Sequence, residues 1–318
     1  MRYILKKTIS LIITLLLVSF LAFLTFQIIP GDPVTKMLGT EYTEEMAVQL
    51  RAQLGLDAPF FVRYFRWLAA FFTGDFGTSY SYHISVSQLI GDKLAVTGLL
   101  SALSFLLVVC VSLPLGIWLA AHEDSVPDRI LTTLNQIAMS IPPFFLGIVM
   151  TLVLGLVLHL FVPGRYVSHT KDLGACLSYL VYPAIAIAIP KTAMTVKFLK
   201  SSIHTESRRD YVRTALSRGN TRRRVLYTHI LRNAIIPVVT FLALTIPEIV
   251  AGSIIVEQVF TVPGLGRLLV SSISNRDFTV VCAIVMLIAC LVILMNFLAD
   301  LLYHIIDPRI RLDQEVGK

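Results

Sequence analysis

The amino-acid sequence reads as an all-α membrane protein: six transmembrane helices, a long external loop after the first span, and a cytoplasmic helix–turn–helix between the fourth and fifth. Three observations carry that reading. Of 318 residues, 56% are hydrophobic and 15% charged, against about 25% charged in ordinary soluble domains. Charge is missing from whole stretches long enough to cross a bilayer, which takes about 20 residues each. The net charge of +7 is also concentrated, because ten Lys/Arg and only two acids, Glu206 and Asp210, lie between Lys197 and Arg232.

The first span, 8–29, is "TISLIITLLLVSFLAFLTFQII", preceded by Arg2, Lys6 and Lys7. A signal peptide shares the charged start, but its apolar region is about 7–15 residues and ends at a small-residue cleavage site. This run is longer and leads into "PGDP", so it is expected to be an uncleaved anchor. Residues 30–94 form the external loop. Within it, "TEEMAVQLRAQLGL" predicts a short helix with Thr43 as N-cap and Gly55 near its end. The aromatic pattern of "FFVRYFRWLAAFF" (60–72) predicts a helix lying at the membrane interface. Five further spans are expected at 95–121, 136–162, 179–200, 235–257 and 279–303, forming a core over 95–303 that is interrupted by the loop 201–234. A tail, 304–318, follows. With no internal repeat, the whole of 1–318 reads as a single membrane domain.

Lys/Arg asymmetry orients such a chain with its basic loops in the cytoplasm. It places the N-terminus, the 201–234 loop and "DPRIRL" inside. One inner loop, "AHEDSVPDRI" (121–130), runs against the rule, with three acids and one arginine. Prolines and glycines punctuate the spans, notably Pro114, Pro142, Pro143, Pro183, Pro190, Pro247 and Gly252. Each proline frees a carbonyl and permits a bend that neighbouring helices compensate. Cys110, Cys282 and Cys290 fall in apolar runs and Cys176 in a connecting segment. Without C-x-x-C spacing, all four read as small apolar core residues.

The basic loop has its own architecture. Asp210 is expected to cap a helix over "YVRTALSR", and Gly219 to end it by taking a left-handed conformation. Asn220 or Thr221 then caps a second helix through about Asn233. Val212, Ala215 and Leu216 line one side of the first helix, and Val225, Leu226 and Ile230 give the second an apolar stripe. A basic hairpin held on anionic lipid would need no such sharp turn; a knob entering a partner's groove would. Within the fifth span, Glu248 is a candidate for the substrate path, because an intramembrane carboxylate needs a partner or water. It is suited to a cationic group on the cargo, with Lys191 or Lys197 as alternative partners. No G-x-x-x-x-G-K-[ST], H-E-x-x-H or G-x-S-x-G occurs, so phosphate cradling and two common hydrolase chemistries are excluded. No metal site is expected.

Taken in order, "PGDP", "LGLDAPFFVRYFRWL", "GDFGTSY", "IPPFFLGI", "DYVRTALSRG", "LRNAIIPV", "IIVEQVFTVPGLGRLL", "NRDFTVV" and "NFLADLLYHIIDPRIRL" resemble the permease subunits of ABC importers, in their peptide/nickel branch. The loop resembles the cytoplasmic "EAA" motif of those permeases. The general triplet is replaced here by Arg213-Thr214-Ala215, and Arg232 stands where a proline is usual. The resemblance implies that the loop is a coupling element docked in a separate ATPase, with Asp210, Tyr211, Arg213, Thr214, Ala215, Gly219, His229, Arg232 and Asn233 as its residues. Ala215 would allow close approach of the partner.

The resemblance also implies a chain that is itself no enzyme and binds no cofactor, ATP and Mg being used by two partner ATPase subunits. The other implied partners are a second homologous permease in a heterodimer, an extracytoplasmic solute-binding protein and the lipid bilayer of a bacterial or archaeal cytoplasmic membrane, with no nucleic acid. Peptide is the expected cargo, with nickel or another chelated metal as the alternative. An ion-gradient transporter is a further alternative, disfavoured because inverted repeats are not evident.

Overall fold

The computed structural model describes residues 2–28, 34, 38, 43–53 and 55–306. "PGDP" and "DPRIRL" lie outside the described residues. The helices are α1 (Arg2–Ile28), α2 (Glu44–Gln53), α3 (Phe60–Phe72), α4 (Val86–Ala121) and α5 (Val126–Ser140). They continue with α6 (Pro143–Val157), α7 (Leu173–Ser207), α8 (Asp210–Ser217), α9 (Arg222–Val259), α10 (Leu265–Ser274) and α11 (Phe278–Ile306). Five of them are long and apolar enough to cross a membrane, and the bent pair α5–α6 makes a sixth if counted as one span. Prolines 114, 183, 190, 237 and 247 all lie inside continuous helices.

The third span differs from expectation. Instead of one helix over 136–162, α5 and α6 meet at 100°. Proline disfavours helical backbone in the residue before it, and the Pro142-Pro143 pair holds both Ile141 (φ −91°, ψ 123°) and Pro142 (φ −63°, ψ 142°) extended. Pro143 then begins α6, where its missing N–H costs nothing.

The described residues fall into two compact units, one drawn from 1–97 with 262–294, the other from 98–261 with 295–318. In the first, α3 buries Tyr64, Leu68 and Phe71, one helical face at i, i+4, i+7. Phe20 and Phe23 of α1 meet Tyr64 edge-on at 5.6 and 5.7 Å. Ser19 and the Tyr64 hydroxyl share a buried hydrogen bond of 2.7 Å, while Phe61, Phe65 and Phe72 stay exposed. Asp277 is wholly buried. It accepts hydrogen bonds from the Ser79 hydroxyl, from Ser81 N at 3.1 Å and from Val280 N at 3.4 Å. The segments "GDFGTSY" and "NRDFTVV", far apart in the chain, are therefore joined by one carboxylate. The short helix α2 forms as expected: Thr43 accepts from Met46 N at 3.3 Å, and Gly55 has φ +64°.

In the second unit, α7 and α9 pack against each other and both contact α6, while α5 lies on α7. Gly147 of "IPPFFLGI" leaves only 3.1 Å between a would-be Cβ and the ring of Phe260, so a side chain there would press on "VEQVF" and require the ring to give way. Tyr179 donates to the Phe260 carbonyl at 2.5 Å, and Phe161 stacks on the Phe260 ring. Cys176 lies inside α7, not in a connecting segment, and is buried; Cys110 is exposed on α4, contrary to a core role. Its exposed face leaves it in an apolar setting only if lipid or another apolar surface covers it.

Candidate coupling site

The basic loop is shorter and stiffer than its sequence suggests. α7 continues to Ser207, and the limb expected to end near Asn233 is continuous with the fifth span in a single 38-residue helix. Arginine is a good helix former, so charge ends the apolar stretch without ending the helix. A π-helical turn, Leu226–Ile230, is built into this rod near its start. Between the two rods stands only α8 with its flanking turns.

The caps shift by one residue. Arg209 occupies the N-cap position of α8 with no side-chain cap bond, and Asp210 sits in the first turn. There its charge still favours the helix N-terminus through the macrodipole. Gly219 has φ +83° with nothing within 4 Å of a would-be Cβ, so its need for glycine is conformational rather than steric. Of the two candidates, Thr221 caps the second limb, accepting from Arg224 N at 3.3 Å. Asn220 instead donates to the Ala215 carbonyl at 3.0 Å, closing the turn.

Inside the knob, Val212, Ala215, Val225, Leu226 and Ile230 are buried. Ala215 thus packs inward, and its small side chain serves this chain's own packing rather than a partner's approach. Leu216, expected on the same apolar side, is 39% exposed. Tyr211 ties the rods together: its hydroxyl donates to Glu206 Oε1 at 3.0 Å, and Asn233 Nδ2 donates to the hydroxyl at 3.3 Å. Burial, with Glu206 close by, holds the Tyr211 phenol above its ordinary pKa, so it remains a donor. Glu206 also pairs with Arg209 at 3.7 Å, and Ser202 donates to the Ala234 carbonyl at 2.8 Å. Asp210, Arg213, Thr214, Gly219, His229, Arg232 and Asn233 are exposed.

The acids of "AHEDSVPDRI" find their partners beside the knob. Lys200 Nζ meets Asp128 Oδ1 at 2.6 Å, and Asp128 also accepts from Asp124 N and Thr132. Glu123 lies 3.0 Å from His204 Nδ1, whose Nε2 accepts from Arg208 at 2.8 Å. Asn135 donates to the Ala193 carbonyl at 2.7 Å. These links fasten α5 and the turn before it to α7 and border a cavity of about 250 Å³ lined by Glu123, Asn135, Lys197, Lys200 and His204. One of the acids that weaken the inner-loop charge count, Asp128, is thus paired with a lysine of the basic segment itself. Asp128 and Lys200 were not legible as site residues, because the two are brought together only by folding.

Glu248, in α9, forms an ion pair with Lys191 of α7 rather than with Lys197. Its side chain remains 55% exposed.

Fold and site together define a multi-pass membrane protein carrying a basic knob on two long helices. Residues 112–312 match the model of the binding-protein-dependent transport system inner membrane component, and residues 1–101 match the N-terminal model of such membrane components. The chain belongs to this family, and is a multi-pass inner membrane protein of a binding-protein-dependent transport system. It is 36% identical to the oligopeptide transport system permease protein AppB of Bacillus subtilis over 311 residues, 97% of this chain and 98% of the relative. It is likewise 36% identical to the glutathione transport system permease protein GsiC of Salmonella paratyphi A, over 98% of this chain and 99% of that one. A chain of the methionine ABC transporter MetNI in an inward-facing form matches with TM-score 0.54 at 18% identity. It covers 67% of this chain and 94% of its own length, which establishes the shared fold.

Proposed function

We propose that this chain is the permease subunit of an ATP-driven peptide importer, forming half of a translocation path with a second homologous permease. Two ATPase subunits bind from the cytoplasm, one of them gripping this chain's knob, and an external binding protein delivers cargo. The termini are cytoplasmic, in a bacterial or archaeal membrane. The relatives named for oligopeptide and glutathione transport favour peptide over nickel. ATP and Mg are held by the ATPases, and this chain supplies no catalytic group and binds no cofactor.

The observation that supports coupling best is the mounting of α8. At 1.5 Å per residue the 38-residue α9 is roughly 57 Å long, well beyond the ~30 Å hydrocarbon core. A displacement of α8 therefore reaches the fourth and fifth spans through rods, not through flexible linkers. Asp210, Arg213 and Thr214 present the contact face, with Arg213 offering a planar set of donors to acidic or carbonyl groups. His229, Arg232 and Asn233 flank its base.

Reconstitution into vesicles with the partner subunits tests this reading. Peptide uptake should require ATP and an intact phosphate-binding site in the ATPases. Uptake driven by an ion gradient without ATP would overturn it.

A further inference from the structure

Two ion pairs in the second unit join a helix to α7, and they are built differently. At Asp128–Lys200 the carboxylate is 7% exposed and receives further hydrogen bonds from Thr132 and Asp124 N. That is a pin. At Lys191–Glu248 the cation is the more sheltered partner, at 17%, and the carboxylate is 55% exposed. Only Oε2 of Glu248 meets Lys191, and no other partner contacts Glu248 among the described residues.

The surroundings are equally specific. Each charge directly follows a proline inside its helix, Pro190 in α7 and Pro247 in α9. Leu244, Glu248, Ala251 and Ile255 are exposed at helical spacing on one face of α9. One turn after Glu248, a Cβ added at Gly252 would meet nothing within 4 Å. Lipid is a poor neighbour for that face, because an ionised group deep in a span costs about 3 kcal/mol or more and so fronts water or protein. Apolar walls, open space and one half-free carboxylate match the chemistry of a peptide terminus: an ammonium joined to apolar side chains.

We propose that Glu248 is the subsite for the terminal ammonium of a passing peptide, and that Lys191 is its positioning residue. Lys191 holds the carboxylate through Oε2, leaving Oε1 to accept from the ammonium. No bond is made or broken. The inference rests on the peptide-import reading and names the group by which the path recognises its cargo.

The experiment uses the complete importer in vesicles, with binding protein saturated by one apolar dipeptide or by the same dipeptide N-acetylated. Uptake rates are compared as a ratio within each variant. Glu248→Gln should reduce the free-amine to acetylated ratio about tenfold from wild type. Lys191→Met should reduce it similarly, and Lys191→Arg should restore it. ATP hydrolysis by each assembled variant reports whether the complex has formed. Should Glu248→Gln fail to assemble, the exchanged pair Lys191→Glu with Glu248→Lys keeps the ion pair and should still lose the free-amine preference. Unchanged ratios in assembled variants overturn the subsite, as would an exchanged pair that keeps the preference. Absence of ATP-dependent uptake in the wild type would instead overturn the peptide-import reading.

Discussion

The clamp at Asp277 and the knob at Gly219 use polar residues in opposite ways. Asp277 is fully buried and turns its carboxylate wholly inward, onto Ser79, Ser81 and the start of α11. The knob keeps a small apolar interior and a polar junction between its rods, Glu206–Tyr211–Asn233. Its arginines, 213, 218, 222, 223 and 224, face out. Removing inward polarity should cost folding; removing outward polarity should cost only the conversation with a partner. On the coupling reading proposed above, that contrast separates a fixed part of the transporter from a driven one.

The largest effect should follow from Asp277→Ala, which strips three donors of a buried acceptor. A loss of roughly 3 kcal/mol or more is expected, read as a lowered Tm in detergent and a reduced membrane yield. A Tm within a degree or two of wild type would break the contrast. Next, Gly219→Val forces a β-branched residue to positive φ at a local cost of about 1–3 kcal/mol. Tm should fall less than for Asp277→Ala, while ATP-dependent uptake falls at least about tenfold because a strained turn misplaces α8. Tyr211→Phe removes two hydrogen bonds, about 1 kcal/mol net, or a factor of about five in the population of the held knob. ATP hydrolysed per peptide imported should rise, with Tm nearly constant. The smallest effect belongs to Arg213→Ala. Stability should stay within about 0.5 kcal/mol, and the weakened ATPase association should converge on wild type at high salt, where the lost contact is screened anyway.

Much of this was legible in the residues, and the rest was hidden for definite reasons. Apolar run length locates the crossings, since hydropathy reports the solvent of a helix. It does not report where a helix ends, and so α7 and α9 run well past the apolar stretches that mark the fourth and fifth spans. Gly219 and Thr221 were readable because caps and left-handed turns are local. The cap at Arg209, the inward turn of Ala215 and the exposure of Leu216 depend on packing. The Pro142-Pro143 pair announced a bend, but its 100° extent came from two successive extended residues. Glu123, Asp128 and Lys200 carry no local signature, since each meaning comes from a residue 70 or more positions away.

The π-helical turn at Leu226–Ile230 sets an azimuth. Each residue of an ordinary helix advances its face by about 100°, and a π turn accommodates one extra residue without carrying that rotation onward. The arginines of the knob are thereby clocked independently of the stripe that bears Glu248. Shortening the rod by one residue within this turn would let it anneal to regular helix, with both faces still in register. The same deletion a few turns later would swing every downstream side chain around the barrel of the rod and, on the proposed coupling reading, disconnect the knob from the face that bears Glu248.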